Sequence, residues 1–476
     1  MNSPKKQAIE QLNKTLINNK YTYTTCPKEA NSPVNKDYSV VQVATQGFTN
    51  NAPTYTNKLR GEEKLSPDEV SFMVRMNKKF AQIVIGGKHK IVSTKHCPIN
   101  GMTSTFEDAS QFYMYFEHEK KIAGLNPGKA WQQWESKMFY PSGVGFYPNI
   151  SKCPEDVYNF YSGLASKPVE GDCSVYLNHI KFGICDGDKN AADYIIQWLA
   201  HMVQKPDEKP SIAILMKSLE GTGKGLFIKP LLTILGQHGT HVNGHTNLTQ
   251  RFNSTVANKI LIFGDEVDLK DNKVADKLKG LISENVTQLE RKGIEPEAMP
   301  NYSRFIFASN HVQVINAGLK ERRYLVVEPI LKDKKYYDAI VDWIDHGGAK
   351  HLLYYLMHLD ISKFNRNKAP ITKALIEEKM CNLPLPMEFI YSEINKIKPF
   401  DGKARVFTSE LVKGFETWLE DKGKENKTEP SRRTLIGKTM KNLGVKVMGR
   451  PDRGQGKYYE IQDYNLIDQF NDFISK

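Results

Sequence analysis

Short uninterrupted apolar runs recur along an otherwise polar chain, and each stops or starts at a chemically distinctive tip. Residues 212–216 (Ile-Ala-Ile-Leu-Met) lead into a glycine-rich turn, 260–263 (Ile-Leu-Ile-Phe) into Gly-Asp-Glu, and 305–308 (Phe-Ile-Phe-Ala) into Ser-Asn. A further run, 325–327 (Leu-Val-Val), follows Glu-Arg-Arg-Tyr. Apolar runs of this length without alternation predict strands buried on both faces, the pattern of a parallel sheet covered by helices. Between the first two lies a helical stretch, 227–235, closed by Gly236, with Pro230 expected to remove one of its hydrogen bonds and bend it. The expected fold class is α/β.

Outside this block the pattern changes. Residues 1–65 are rich in Asn, Thr, Lys and Pro and read as a polar, loosely ordered arm. Ser66-Pro67-Asp68-Glu69 announces a helix through about 77, with a capping box and proline at the first helical position. Residues 82–85 and 88–92, joined by Gly86-Gly87, predict a hairpin. Residues 105–134 turn helical and aromatic; Phe112, Tyr113, Tyr115, Phe116, Trp131 and Trp134 are there for core packing or for stacking on single-stranded bases. Residues 138–163, broken by Pro and Gly, read as an irregular loop, and 191–203 as a helix bordering the sheet. Helices are expected across 333–396.

The tips carry the chemistry. In Ser218-Leu-Glu-Gly221-Thr222-Gly223-Lys224-Gly225 the glycines permit positive φ, so successive N–H groups can converge on a phosphate while Lys224 supplies charge. Ser218 stands where the usual phosphate loop has its first glycine, and Gly225 where it has a magnesium-binding hydroxyl. Asp265 and Glu266 at a strand's carboxyl end suit magnesium binding and the polarising of water, respectively. Asn310 is the candidate sensor of the γ-phosphate. Arg322 and Arg323 are candidates for neutralising charge on a transferred phosphoryl group, a role often filled from a neighbouring subunit. Each motif alone also reads as an ordinary strand-to-turn transition, and their order along the chain favours the chemical reading.

Composition narrows the setting. The 476 residues exceed what one core usually supports, and the net charge of +12 favours a polyanionic partner. The six cysteines (26, 97, 153, 173, 185, 381) contain no C-x-x-C pair, which disfavours a zinc module or disulfide framework. No apolar leader or bilayer-length run is present, so a soluble, cytoplasmic protein without membrane contact is expected.

The series Gly-Thr-Gly-Lys-Gly (221–225), Gly-Asp-Glu (264–266), Phe-Ala-Ser-Asn (307–310) and Glu-Arg-Arg-Tyr (321–324) resembles superfamily 3 helicases, especially the replicative group of phages, plasmids and large DNA viruses, which often carry a primase in the same polypeptide. Trp-Leu-Ala-His-Met-Val-Gln-Lys-Pro (198–206) and Tyr-Asn-Phe-Tyr-Ser-Gly (158–163) are also similar to that group. The resemblance covers roughly residues 155–332. It implies a P-loop, AAA-like ATPase core, a hexameric ring, ATP and Mg2+ as cofactors, and unwinding of DNA in the 3′ to 5′ direction. It makes Lys224 the Walker A lysine, with Gly221, Thr222, Gly223 and Gly225 around the phosphates. Asp265 and Glu266 become the Walker B acids, Asn310 the sensor, and Arg322 or Arg323 the arginine finger. It also implies a channel-facing helix and hairpin bearing Lys279, Arg291 and Lys292; a solvated basic loop is the competing reading of those residues.

From residue 405 a small winged-helix-like pattern appears. Thr408-Ser409 is expected to cap one helix, and Ser431 to cap a second that presents Arg432, Arg433, Lys438 and Lys441 outward. A basic wing follows with Arg450 and Arg453. Such a unit suits duplex DNA, or protein contact. The domains expected are an arm (1–65), an N-terminal α+β domain (66–165), a helical border region (166–207), the ATPase core (208–332), a helical connector or lid (333–396) and the basic DNA-binding domain (397–476). The leading expectation is an ATP-dependent helicase replicating a mobile element, with single-stranded DNA in its channel and with any priming or polymerase activity in another chain. The alternatives are an ATP-gated origin-binding initiator with little unwinding, or a catalytically weakened P-loop scaffold.

Overall fold

The computed structural model describes residues 55–59, 64–97, 101–244, 258–267, 269–289, 297–311, 313–423, 429–449, 456–461 and 465–475. The chain divides into two compact units. The larger holds the described residues up to Val314 and Arg323–Pro370; the smaller holds Ile315–Arg322 and the described residues from Ile371 onward. The stretch 333–396, read from sequence as one connector, is therefore shared between them.

The larger unit opens with helix α1 (Pro67–Asn77). Its capping box is formed: Glu69 N–H donates to Ser66 Oγ at 3.3 Å, and Ser66 N–H to the Glu69 carboxylate at 2.8 Å. Strands β1 (Phe80–Ile85), β2 (Lys88–Cys97) and β3 (Gly101–Glu107) pair antiparallel, and β4 (Phe139–Tyr140) adds in parallel beyond β1. Two parts of this differ from the sequence pattern. The hairpin's second strand runs to Cys97 rather than 92, and residues 105–107, expected to begin a helix, instead end β3. Met-Thr-Ser-Thr-Phe carries little apolar signal, and pairing with β2 decides its state. Helix appears only in short pieces, Ala109–Met114 and Pro127–Gln133. Phe112, Trp131 and Trp134 are fully buried in a common cluster with Met73 and Ile91, so these rings serve the core.

The second sheet is built from β5 (Ala213–Lys217), β6 (Gly239–Asn243), β7 (Leu261–Asp265), β10 (Arg304–Ser309) and β11 (Tyr324–Val327); between β7 and β10 the chain makes an antiparallel excursion, β8 (Val286–Leu289) with β9 (Glu297–Pro300). The five strands lie in the order β11-β5-β10-β7-β6, all parallel. Every residue of β10 and β11 is buried, as the continuous apolar runs require. β6 falls in a stretch that reads as a polar connection, long enough for one intervening strand but with no apolar run to place it: Gly-Thr-His-Val-Asn is polar because it edges the sheet and only Val242 is buried. The longer helices of this unit after α1 are α2 (Lys189–Gln204), α3 (Lys224–Leu235), α4 (Asn272–Ser283), α5 (Lys334–Asp345) and α6 (Gly348–His358). α3 continues through Pro230, which is buried within it. One apolar core joins Trp198 and Leu199 of α2, Phe227 and Leu231 of α3, Ile214 and Met216 of β5, Phe263, Ile306, and Leu352 of α6. Burying each such side chain is worth about 1.5–3 kcal/mol.

Arg304, the first residue of β10, is almost completely buried. Its guanidinium donates to the carbonyls of Lys205 (2.9 Å), Glu208 (2.7 Å), Pro206 (3.3 Å) and Tyr302 (3.2 Å), satisfying the carboxyl end of α2 and the turn after it.

In the smaller unit, α7 (Lys373–Cys381), α8 (Leu385–Ile394), α9 (Thr408–Asp421), α10 (Glu429–Asn442) and α11 (Leu466–Ile474) surround a three-stranded antiparallel sheet of β12 (Arg405–Phe407), β14 (Tyr458–Glu460) and β13 (Val447–Met448), with β14 central. Phe389, Ile390, Phe415, Ile436, Met440, Tyr459 and Phe470 form its core. The helix starts differ from those expected. Thr408 is the first residue of α9, and the Glu410 carboxylate takes the Phe407 N–H at 3.0 Å; α10 begins at Glu429, two residues before Ser431. Among the described residues no helix is long and apolar enough to cross a membrane.

Candidate functional site

Parallel pairing puts the carboxyl ends of β5, β10 and β7 on one edge: Lys217 lies opposite Ser309, and Gly264 opposite Phe307. The tips that follow those strands, the 218–225 loop, Asn310 and Asp265-Glu266, therefore emerge together. β10 sits between β5 and β7, which places Asn310 between the lysine loop and the acids.

Gly221 (φ +75°) and Gly223 (φ +82°) both take left-handed backbone, and Gly223 forms the N-cap position of α3. The first N–H groups of α3 have no partner within the helix and point out at the loop. Ser218 closes the loop internally: its hydroxyl lies 2.7 Å from Thr222 Oγ1, which also donates to Leu219 O at 3.1 Å. The buried Thr222 side chain is thus part of the loop's frame. Lys224 Nζ donates to Asn310 Oδ1 at 2.9 Å and to the carbonyls of Ser218 (3.0 Å) and Leu219 (3.2 Å). Asn310 Nδ2 in turn reaches Glu220 Oε1 at 3.5 Å. Burial lowers the pKa of Lys224, opposed by the negative charges of Asp265, Glu220 and Glu266, so all three carboxylates are within electrostatic reach of the ammonium.

Glu266 has φ +52°, a conformation that costs a non-glycine residue on the order of 1 kcal/mol and is found disproportionately at functional sites. Its N–H donates to Asp265 Oδ1 at 3.0 Å, fixing that carboxylate, while Asp265 Oδ2 faces His241 Nε2 at 3.6 Å. A partly exposed, oriented carboxylate beside a second acid fits a hard cation that keeps much of its water shell, and so fits magnesium. At Gly225 an added Cβ would meet nothing within 4 Å, so the position has room for the hydroxyl it lacks. Glu220 and His241 were not singled out in the sequence: one lies inside the loop, and the other comes from the edge strand that polar composition concealed.

The arginines are placed elsewhere. Arg323 leads into β11, and its carbonyl accepts the Ala213 N–H at 2.8 Å at the start of β5. It therefore lies at the amino-terminal edge of the sheet, opposite the lysine loop, with its Nε donating to Ser283 Oγ at 3.1 Å. Arg322 is exposed. Within one chain, Arg323 does not join Lys224, the acids and Asn310.

Of the basic residues assigned to DNA, Lys279 lies on α4 and pairs with Asp276 at 3.2 Å. Arg291, Lys292, Arg450 and Arg453 lie outside the described residues. Arg432, expected to point outward, is instead buried with its guanidinium on the Glu416 carboxylate at 2.7 Å, because that position of α10 faces α9. Arg433, Lys438 and Lys441 are exposed on α10.

A family model described as "Family of unknown function (DUF5906)" matches residues 216–323, the segment from the end of β5 to Arg323. The chain is also 24% identical over 220 residues to a DNA primase-polymerase of Nitratiruptor phage NrS-1, a match covering 44% of this chain and 30% of the relative. The chain thus spans under a third of the length of that curated relative. Solved structures of the apo C-terminal region of NrS-1 share the fold: one superposes with a TM-score of 0.60 at 17% identity over 81% of this chain and 97% of the other, and a second, in its A form, with a TM-score of 0.59.

Proposed function

We propose that this chain is an ATP-hydrolysing DNA motor of the superfamily 3 type that acts in phage DNA replication. The observation that carries the reading is the contact of Lys224 Nζ with Asn310 Oδ1 at the strand edge from which Asp265 and Glu266 also emerge. The β11-β5-β10-β7-β6 order supports an AAA-like core, and the similarity to a phage primase-polymerase supports a role in replication. The order strand, helix, helix, strand, strand in β12, α9, α10, β13 and β14 supports a winged-helix-like unit for duplex DNA.

In this reading the loop amides and Lys224 hold the β- and γ-phosphates of ATP, releasing Lys224 from the Ser218 and Leu219 carbonyls. Asp265 holds magnesium, which when bound neutralises phosphate charge. Glu266 accepts a proton from the attacking water, and Asn310 orients that water from the other side. Arg322 or Arg323 serves the site of an adjacent copy in a ring, since Arg323 lies at the opposite edge of its own sheet. Single-stranded DNA passes along the ring's channel, near α4 and the β8–β9 excursion.

ATP turnover and strand displacement from a forked duplex test this directly. Lys224→Ala is expected to reduce turnover at least about a hundredfold, as loss of a phosphate-binding charge does. Wild-type protein with no turnover would overturn the reading. Arg322→Ala or Arg323→Ala mixed with Glu266→Gln is expected to recover activity if sites are shared between copies. The exposed Arg433, Lys438 and Lys441 favour one second reading, an ATP-gated origin-binding initiator. ATP turnover and duplex binding without strand displacement would decide for it.

A further inference from the structure

We propose that His179 is a positioning residue for the phosphate loop, fixing the plane of the Gly223–Lys224 peptide so that the Lys224 backbone N–H faces the nucleotide phosphates. This rests on the nucleotide reading of the 218–225 loop.

His179 opens a π-helical segment, His179–Ile184, in which Cys185 N–H reaches back to Ile180 O at 3.0 Å. Such widened turns are rare and concentrate at functional sites. The side chain is completely buried, and its Nε2 lies 3.0 Å from Gly223 O. A carbonyl can only accept, so Nε2 carries the proton and Nδ1 is left with a lone pair. That lone pair lies 3.2 Å from the Tyr336 hydroxyl, which donates to it. Burial lowers the pKa of His179 and raises that of Tyr336 to about 12, so the chain Tyr336 O–H to His179 to Gly223 O is kept in its neutral form.

The Gly223 carbonyl already accepts the Phe227 N–H of α3 at 3.1 Å. His179 is therefore not needed to satisfy it; a second bond from a different direction instead restricts rotation of the peptide. Because the peptide is planar and trans, holding this C=O along the helix holds the Lys224 N–H pointing the opposite way, out of the amino-terminal end of α3. The surroundings are shaped for this contact. A Cβ on Gly223 would lie 2.7 Å from His179 Cε1 and 2.8 Å from Tyr337 Cε1, and a Cβ on Gly183 would lie 2.5 Å from His179 Nδ1 and 2.9 Å from the Tyr336 hydroxyl. Two glycines far apart in sequence thus leave the space the imidazole and the phenol fill.

The test uses the full chain: Mg–ATP binding by calorimetry, steady-state turnover, and amide hydrogen exchange across residues 221–225 in Lys224→Ala, His179→Phe, His179→Gln and Tyr336→Phe. His179→Phe keeps the ring's bulk but not the donor, and is expected to raise KM for ATP roughly tenfold, with a much smaller change in kcat and faster exchange in the loop. His179→Gln, which retains a donor, is expected to recover most of the loss, and Tyr336→Phe to show an intermediate loss. Should His179→Phe not fold, the Gln and Tyr336→Phe variants carry the comparison: wild-type KM and loop exchange in Tyr336→Phe, together with Gln damage as severe as loss of the loop lysine, overturn the role. ATP binding that is lost in Lys224→Ala but unchanged in His179→Phe overturns the His179 role alone. Absence of ATP binding in the wild-type chain overturns the nucleotide reading and this role with it.

Discussion

Gly225 and Glu266 show at the residue scale what a site of this kind trades. Gly225 sits in the first turn of α3 with open space around it, so Gly225→Thr is expected to leave stability within about 0.5 kcal/mol, since both residues are middling or poor helix formers. The variant restores the hydroxyl of the usual phosphate loop, and a magnesium titration of ATP turnover is expected to show half-maximal activity at lower magnesium. An unchanged titration would mean that the water shell does not lie near this position. Glu266 is the opposite case, a side chain kept in left-handed backbone at a cost. Glu266→Gly is expected to stabilise the chain by up to about 1 kcal/mol in urea denaturation while abolishing turnover. Destabilisation would show that the carboxylate also holds the fold.

At the scale of elements, the β8–β9 excursion is rooted by two side chains at the end of α4. Lys209 Nζ donates to Leu281 O and, at 2.8 Å, to Glu284 O, while Asn301 Nδ2 reaches the same two carbonyls at 2.9 and 3.0 Å. Burial, with a smaller contribution from the nearby Arg304 charge, pulls the Lys209 pKa from 10.5 down to about 7. The unfolded chain binds this proton up to its ordinary pKa, and the folded chain releases it near 7. The unfolded state therefore holds more protons between those values, and stability rises with pH across that window. Below pH 7 both states are protonated and the full desolvation cost remains. The stability of the wild type relative to Lys209→Met is accordingly expected to increase from pH 7 to 9 in urea titrations, and a flat difference would contradict the burial argument.

Over the whole molecule, the smaller unit claims a piece of chain from between two strands of the core. Ile315 N–H donates to the Glu378 carboxylate at 3.1 Å, and Asn382 Nδ2 donates to Ile315 O at 3.1 Å. Leu319 packs on the core of that unit. The segment Ile315–Arg322, which ends at a candidate finger, thus belongs to the carboxyl-terminal unit although its flanking strands β10 and β11 do not. Cutting the chain after Pro370 is expected to uncover this segment, giving proteolytic cleavage within 315–322 and lower solubility. A truncated chain as soluble and as protease-resistant as the whole would mean that the segment is held by other contacts.

The sequence by itself determined the buried strands and their tips, because runs of three to five consecutive apolar residues bounded by turn signals have few alternatives to a covered sheet and because glycine, lysine and acid tips stand out locally. It also determined α1 through its capping box and the β1–β2 hairpin through its glycine pair. Tertiary structure alone decided the strand order, the polar edge strand β6, the burial of Arg432 on Glu416, and the contacts of His179, Glu220 and His241 with the site. Parallel pairing joins segments distant in the chain through backbone bonds that any residue can make, so neither the order of strands nor the neighbours that order creates leaves a mark on local composition.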